Sequence, residues 1–117
     1  MDRDELIERT MQFALRVVKM SEVLPKTTAG RTAAGQIVRS ATSVAANYRA
    51  SQRAKSRADF VSKITTVLEE ADETEFWLEF IARAELLPEA RLAELRAEAD
   101  ELTRIFAAIR RSARRSV

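Results

Sequence analysis

The sequence predicts an all-α fold: one single-domain, up-down-up-down antiparallel four-helix bundle that self-associates. Three observations predict it. Alanine, leucine, arginine and glutamate dominate a chain of 117 residues with two glycines and two prolines, and these types lose little rotamer freedom in a helix. Four stretches carry apolar residues at alternating spacings of three and four, the repeat of a helix with one buried face. Both prolines, Pro25 and Pro88, fall at the boundaries of those stretches.

The first helix is expected over about residues 4–24, stopping at Pro25. Leu6, Phe13, Val17, Met20 and Leu24 make one stripe, and Ile7, Met11, Ala14 and Val18 a second beside it. The pair is wider than the stripe of a helix that faces one core. Residues 26–30 read as a polar connection. The second helix follows over about 31–53, with its seam at Ala34, Ile37, Ala41, Val44 and Tyr48. Small neighbours (Ala33, Gly35, Ala45, Ala46) let another helix approach closely. Glycine inside a helix costs about 1 kcal/mol against alanine, so Gly35 is expected in the first turns.

Ser56-Arg57-Ala58-Asp59 reads as a capping-box-like start for a third helix over about 57–85. Phe60, Ile64, Val67, Ala71, Thr74, Leu78 and Ile81 form its seam, coiled-coil-like in spacing. Pro88 suits a first helical turn. The fourth helix, about 88–113, repeats the pattern at Leu92, Leu95, Ala99, Leu102, Phe106, Ile109 and Ala113. Four such helices with short connections imply the up-and-down bundle.

Phe76 and Phe80 project about 160–200° from the third seam at 100° per residue, with Trp77 beside them. A cluster of large apolar residues on an outer face marks an interface. Phe76, Trp77 and Phe80, with Ile7, Met11 and Val18 of the first helix, are therefore the candidate oligomer contacts. If the seam is rotated, the three aromatics belong to the core instead.

The chain has no cysteine and no histidine, which removes disulfides, thiolate chemistry and the usual proton-transfer side chain. No run approaches the roughly 18 apolar residues of a membrane span, and the acidic start lacks the pattern of a signal peptide. A cytoplasmic location and no membrane partner are expected. The formal net charge of +2 hides strong segregation. Residues 31–63 hold seven bases and one acid, residues 64–101 twelve acids and three bases, and residues 102–117 five arginines and no acid. Such blocks suit complementary faces within or between chains, or a nucleic-acid surface.

The segment Gly35-Gln36-Ile37-Val38-Arg39-Ser40-Ala41-Thr42-Ser43-Val44-Ala45-Ala46-Asn47 resembles the signature of the four-helix-bundle proteins encoded in bacterial 23S rRNA intervening sequences. Gln36, Ile37, Arg39, Ala41, Ser43, Val44 and Asn47 fit it. A second family block, Arg-x-x-Ser-x-x-Glu-Phe, resembles Arg53 to Phe60 with Asp59 for the glutamate. The chain departs from the family after Asn47, where Tyr48-Arg49-Ala50-Ser51 replaces a glycine-ended turn, and at the more acidic Glu70 to Glu75. The resemblance implies an up-down bundle assembled into a cyclic homopentamer, with no catalysis. It extends in fold to the accessory proteins of diversity-generating retroelements, basic pentameric barrels that bind nucleic acid and a reverse transcriptase partner.

Glu69, Glu70, Asp72, Glu73, Glu75 and Glu79 form the one site-like constellation of acids. Carboxylate di-metal bundles pair their glutamates with histidine, and most of these acids lie off the seam, so neither a metal nor another cofactor is expected. No catalytic residue is identified and the chain is not expected to be an enzyme. Arg39 should lie level with about Asp72 and Glu73 and pair with them. Arg49, Arg53, Lys55, Arg57 and Lys63 form one cationic group, where Asp59 is the one acid. Arg110, Arg111, Arg114 and Arg115 form another, larger than favourable charge at a helix C-terminus requires. Guanidinium forks suit phosphate oxygens, so both groups are candidate contacts to RNA or DNA. They lack interleaved exposed aromatics, which points to backbone contacts over base stacking. The alternative is a structural or protein-interaction module whose charge blocks serve subunit recognition, with no nucleic-acid role.

Overall fold

The computed structural model describes residues 1–115 and contains four helices: α1 (Arg3–Ser21), α2 (Thr28–Ser51), α3 (Arg57–Arg83) and α4 (Glu89–Arg115). No strand occurs among the described residues. Three N-termini are capped by short side chains that take up a free first-turn amide hydrogen. Asp2 accepts from the Glu5 N–H at 2.8 Å, Thr27 from the Gly30 N–H at 3.1 Å, and Ser56 from the Asp59 N–H at 3.0 Å. The Asp59 carboxylate reaches back to the Lys55 N–H at 3.0 Å, one residue before the cap itself.

The helix ends depart from the expected ones for local reasons. α1 ends at Ser21, short of Leu24, because the chain tightens into i→i+3 bonds from Glu22 to Leu24 before a proline that disfavours helical geometry at the preceding residue. α2 begins at Thr28 because Thr27 caps it, and this places Gly35 eight residues into the helix, in its third turn. Its last hydrogen bonds also tighten, from Ala54 to Ser51, so the helix stops at Ser51 instead of Arg53. α3 ends at Arg83, two residues early. Glu85 sits in the left-handed region at φ 56°, with its N–H on the Ala82 carbonyl and the Leu86 N–H on the Ile81 carbonyl, the paired bonds of a Schellman motif. α4 begins after Pro88 and continues to Arg115.

The predicted seams are the core. Leu6, Phe13, Val17, Met20 and Leu24 are buried, as are Ile37, Ala41, Val44 and Tyr48 of α2. On α3 the buried line is Ile64, Val67, Ala71, Thr74, Leu78 and Ile81, and on α4 it is Leu92, Leu95, Ala99, Leu102, Phe106 and Ala113. Phe60, Ile109 and Ala34 lie half-buried at the margins, and Ala33 takes the buried place expected of Ala34. Tyr48 and Phe106 meet across the core with ring centres 5.4 Å apart.

Neighbours in sequence are neighbours in space. The α2–α3 seam is the most extensive and the α1–α4 seam the least, while α1 and α3 occupy opposite corners. The four-helix bundle measures 46 × 21 × 21 Å. Buried between α2 and α3, the Thr74 hydroxyl donates to Ser40 at 2.8 Å, so neither polar group is left unsatisfied. Residue numbers rise on one helix as they fall on the next: Ser40 meets Thr74 and Ser43 meets Glu70, while Thr65 meets Arg110 and Glu75 meets Thr103.

The two glycines should respond in opposite directions. A Cβ on Gly30 would overlap the Pro25 carbonyl, whereas a Cβ on Gly35 enters open space. Urea unfolding should show Gly35→Ala more stable by about 0.5–1 kcal/mol. Gly30→Ala should be less stable by roughly 1–3 kcal/mol, the cost of forcing extra volume into a packed site.

Candidate nucleic-acid interface

The structure brings the two basic groups of the sequence to one end of the bundle. Arg49 lies in the last turn of α2, Arg53 and Lys55 in the connection to α3, and Arg57 at the start of α3. The last turns of α4 pack beside them. Arg110 donates from Nε to the Thr65 hydroxyl on α3 at 2.8 Å. Arg57 and Phe60 share a shallow hollow with Ile109 and Ser112. On the other side, Leu68 and Ala107 floor a groove walled by Arg110, Arg111, Arg114 and Arg115. Arg49, Arg53, Lys55, Arg57, Arg111, Arg114 and Arg115 are exposed.

These cations lack carboxylate partners, as do the scattered Arg16, Lys19, Lys26, Arg31 and Arg91; what sets them apart is that they gather at one end. Elsewhere Arg9, Arg39, Arg83, Arg96 and Arg104 are each ion-paired. Among the described residues, Arg49, Arg53, Lys55, Arg57, Arg110, Arg111, Arg114 and Arg115 form no ion pair. Lys63 departs from its expected role, since its ammonium is 2.7 Å from Asp59. That contact, with the Lys55 N–H, holds the Asp59 carboxyl below its ordinary range. The start of α1 places Asp2, Arg3 and Asp4 near enough to Tyr48 to act on its hydroxyl.

The motif residues turn out to make a clasp. Gln36, Arg39, Ser43 and Asn47 form one stripe of α2 facing Glu70 and Glu73 of α3. Arg39 spans Glu70, at 3.2 Å, and Glu73, and Gln36 accepts from its Nε at 3.2 Å. Ser43 donates to Glu70 at 3.1 Å, and Asn47 donates to the Ser43 hydroxyl at 2.8 Å. Hydrogen bonding by Glu73, then by Glu70, pushes the Arg39 guanidinium further above its usual value. Of the expected acids Arg39 meets Glu73, with Glu70 in the place of Asp72. Trp77 joins from below, its Nε1 3.4 Å from Glu73. The sequence marked these positions without showing that they form one network. The only advance signal was the three-and-four spacing from Gln36 to Asn47.

The aromatic face is partly internal. Trp77 and Phe80 are half-buried against the core, so full exposure of the cluster is corrected, while Phe76 is 55% exposed. Phe76 packs edge-on to Trp77 at 4.9 Å. On α1, Met11 and Leu15 are exposed, and Ile7 and Val18 are half-buried. Among the described residues no group of three acids is placed to hold a metal ion. No helix of the described residues is long and apolar enough to cross a membrane.

Among the described residues Glu75 is the one acid whose carboxyl is pushed up. Burial between α3 and α4 is the main cause, Asp100 and Asp72 add to it, and the Thr103 hydroxyl and Arg104 oppose it. A raised carboxyl pKa means that the folded state holds the proton more tightly, so stability falls as pH rises from the ordinary glutamate range through the raised value. Glu75→Gln should therefore melt higher than the parent at pH 7. The two should converge as the pH is lowered below the glutamate range, as followed by thermal unfolding.

Comparison with known proteins agrees with this architecture. The family model of the 23S rRNA-intervening sequence protein matches residues 3–108. No curated protein matches the chain. Among solved structures, the chain is similar to a Bacteroides thetaiotaomicron protein of unknown function from the S23 ribosomal protein family. That likeness is at 30% identity and a TM-score of 0.83, over 95% of this chain and 99% of that one. With nearly the whole bundle inside the match, the chain belongs to the 23S rRNA-intervening sequence protein family.

Proposed function

We propose that the chain is a non-enzymatic, homo-oligomeric, antiparallel four-helix bundle that binds RNA or DNA through phosphate contacts at its basic end. The observation that carries the nucleic-acid reading is the gathering at one end of arginines from α2, α3 and α4 that form no ion pair, whereas Arg83 and Arg96 of the acidic half are ion-paired. Guanidinium groups left without carboxylates suit phosphate oxygens. The up-and-down order is supported by the cross-helix bonds, whose residue numbers run in opposite directions. The non-enzymatic reading rests on a sequence with neither histidine nor cysteine.

Assembly is supported by two unlike apolar surfaces on opposite corners of the bundle. One is the α1 strip of Met11 and Leu15, the other Phe76 with its half-buried neighbours on α3. Unlike patches on one molecule favour a head-to-tail contact, and such contacts close into rings when the rotation permits. Five subunits is the number that the family resemblance implies. The competing reading places the basic end of one copy on the acidic half of the next, with no nucleic acid involved. It is favoured by the charge asymmetry between residues 64–101 and 102–117.

Binding measured against salt separates the two. Phosphate contacts predict affinity that falls steeply as counterions are re-acquired, by roughly 10³–10⁵ between 50 and 200 mM salt for 6–10 contacts. The combined change of Arg49, Arg53, Arg114 and Arg115 to alanine should abolish binding and leave the oligomer intact by light scattering. If the parent retains no RNA or DNA at about 50 mM salt and the same change dissolves the oligomer, the competing reading holds. Phe76→Ser with Met11→Ser should reduce the parent assembly to monomer.

A further inference from the structure

We infer that the preferred ligand of the basic end is a duplex, held by its sugar–phosphate backbone, and not a single strand. This rests on the nucleic-acid reading above and narrows it. The first observation is what lies between the arginines. The groove walled by Arg110, Arg111, Arg114 and Arg115 is floored by Leu68 and Ala107, and the hollow beside Arg57 is lined by alanines, Ile109 and Ser112 with one aromatic, Phe60. Phe60 packs against the core. Tyr48 and Phe106 are buried, and Phe76, the exposed aromatic, belongs to the acidic half. At this end no ring is more than partly exposed to receive an unstacked base. Single-strand sites draw about 1–3 kcal/mol per base from such stacking, and this surface cannot supply it.

With stacking removed, charge density decides. A duplex carries one phosphate per ~1.7 Å of axis against ~3.4 Å for one strand, and each neutralised phosphate releases more counterion, with a slope of about 0.9 against 0.7. A surface that gains only from phosphates gains more on the duplex. A duplex is also stiff over ~150 base pairs, so it loses little conformational freedom on docking, whereas a single strand must be ordered.

The layout of the cations fits two backbones. Arg110 with Arg114, and Arg111 with Arg115, make two rows on α4, each with its members about 6 Å apart along the axis. Arg49, Arg53, Lys55 and Arg57 lie on neighbouring elements at the same end of a bundle 21 Å across. That width exceeds the ~12 Å opening of a major groove, so cations from α4 and from the α2–α3 connection can reach phosphates on both sides of one groove. The Thr65 hydroxyl fixes Arg110 through Nε at 2.8 Å, and Arg110 lines the groove. Such a surface reads no base edge, so its affinity depends little on sequence.

The test uses the 117-residue protein with one labelled 20-mer of mixed composition, offered as a DNA duplex, as an RNA duplex, and as an unstructured single strand of each, in a salt series. Either duplex should bind at least about tenfold tighter than its single strand, with a steeper salt slope. Arg111→Ala with Arg115→Ala should lower the duplex slope by about two. Equal or tighter binding of the single strands overturns the duplex inference while leaving phosphate recognition in place. No binding of any of the four at about 50 mM salt removes the underlying reading itself. The difference between the RNA and DNA duplexes assigns the source.

Discussion

The close approach of α2 to α3 is the constraint on which the other features rest. A helix with alanines at positions 33, 34, 41, 45 and 46 presents little side-chain bulk, and its seam with α3 is the most extensive in the molecule. Inside that seam the Ser40 and Thr74 hydroxyls pair. Outside it, Arg39 and Ser43 take up the carboxylates of Glu70 and Glu73. Breaking the buried hydroxyl pair would strand polar groups in a place with little water, which costs more than the bond contributes when made, whereas the Arg39 set is open to solvent. With α2 and α3 fixed in register, the end of one and the start of the other are held together, and the last turns of α4 complete the basic surface.

Much of the fold was legible in the sequence because its periodicity is nearly free of interruption. The α3 line from Ile64 to Ile81 and the α4 line from Leu92 to Ala113 are buried almost as spaced. What spacing could not convey was decided by hydrogen bonds at the ends. Thr27 extends α2 backward, and Glu85 adopts a left-handed conformation that its residue type does not announce. Gly35 lies deep inside a helix despite its poor propensity, tertiary packing outweighing a local preference. The aromatic cluster was misplaced in part because long rings lean back toward the core from positions that a helical wheel puts outside. Trp77 does so with its ring nitrogen directed to Glu73.

The candidate site was legible as composition and not as geometry. Arginines at 49 and 53 and those at 110–115 are separated by about half the chain, and only the folding of α4 beside α3 joins them. Lys63 shows the reverse: it reads as one more cation until Asp59, one helical turn earlier, is seen to hold it. Sequence counts charges, and structure decides which are already neutralised. Here that sorting separates an acidic half in which Arg83 and Arg96 are paired from an end whose arginines are not.

The α1–α4 seam leads in another direction. It is the sparsest of the four, and Arg9 is its principal clamp, with Glu98 at 2.7 Å and Glu101 at 3.0 Å. Those two carboxylates, Glu98 foremost, raise the Arg9 guanidinium well above its ordinary value, so the clamp stays charged across the usable pH range. Among the described residues, ion pairs between helices involve only Arg9 and Arg39. The bundle is thus an unevenly sewn cylinder, with three firm edges and one held by a single arginine. Local opening begins where fewest apolar contacts must be lost, which makes α1 the stave that lifts first. The α2–α3–α4 sheaf, which bears the cations, can keep its shape while that edge breathes.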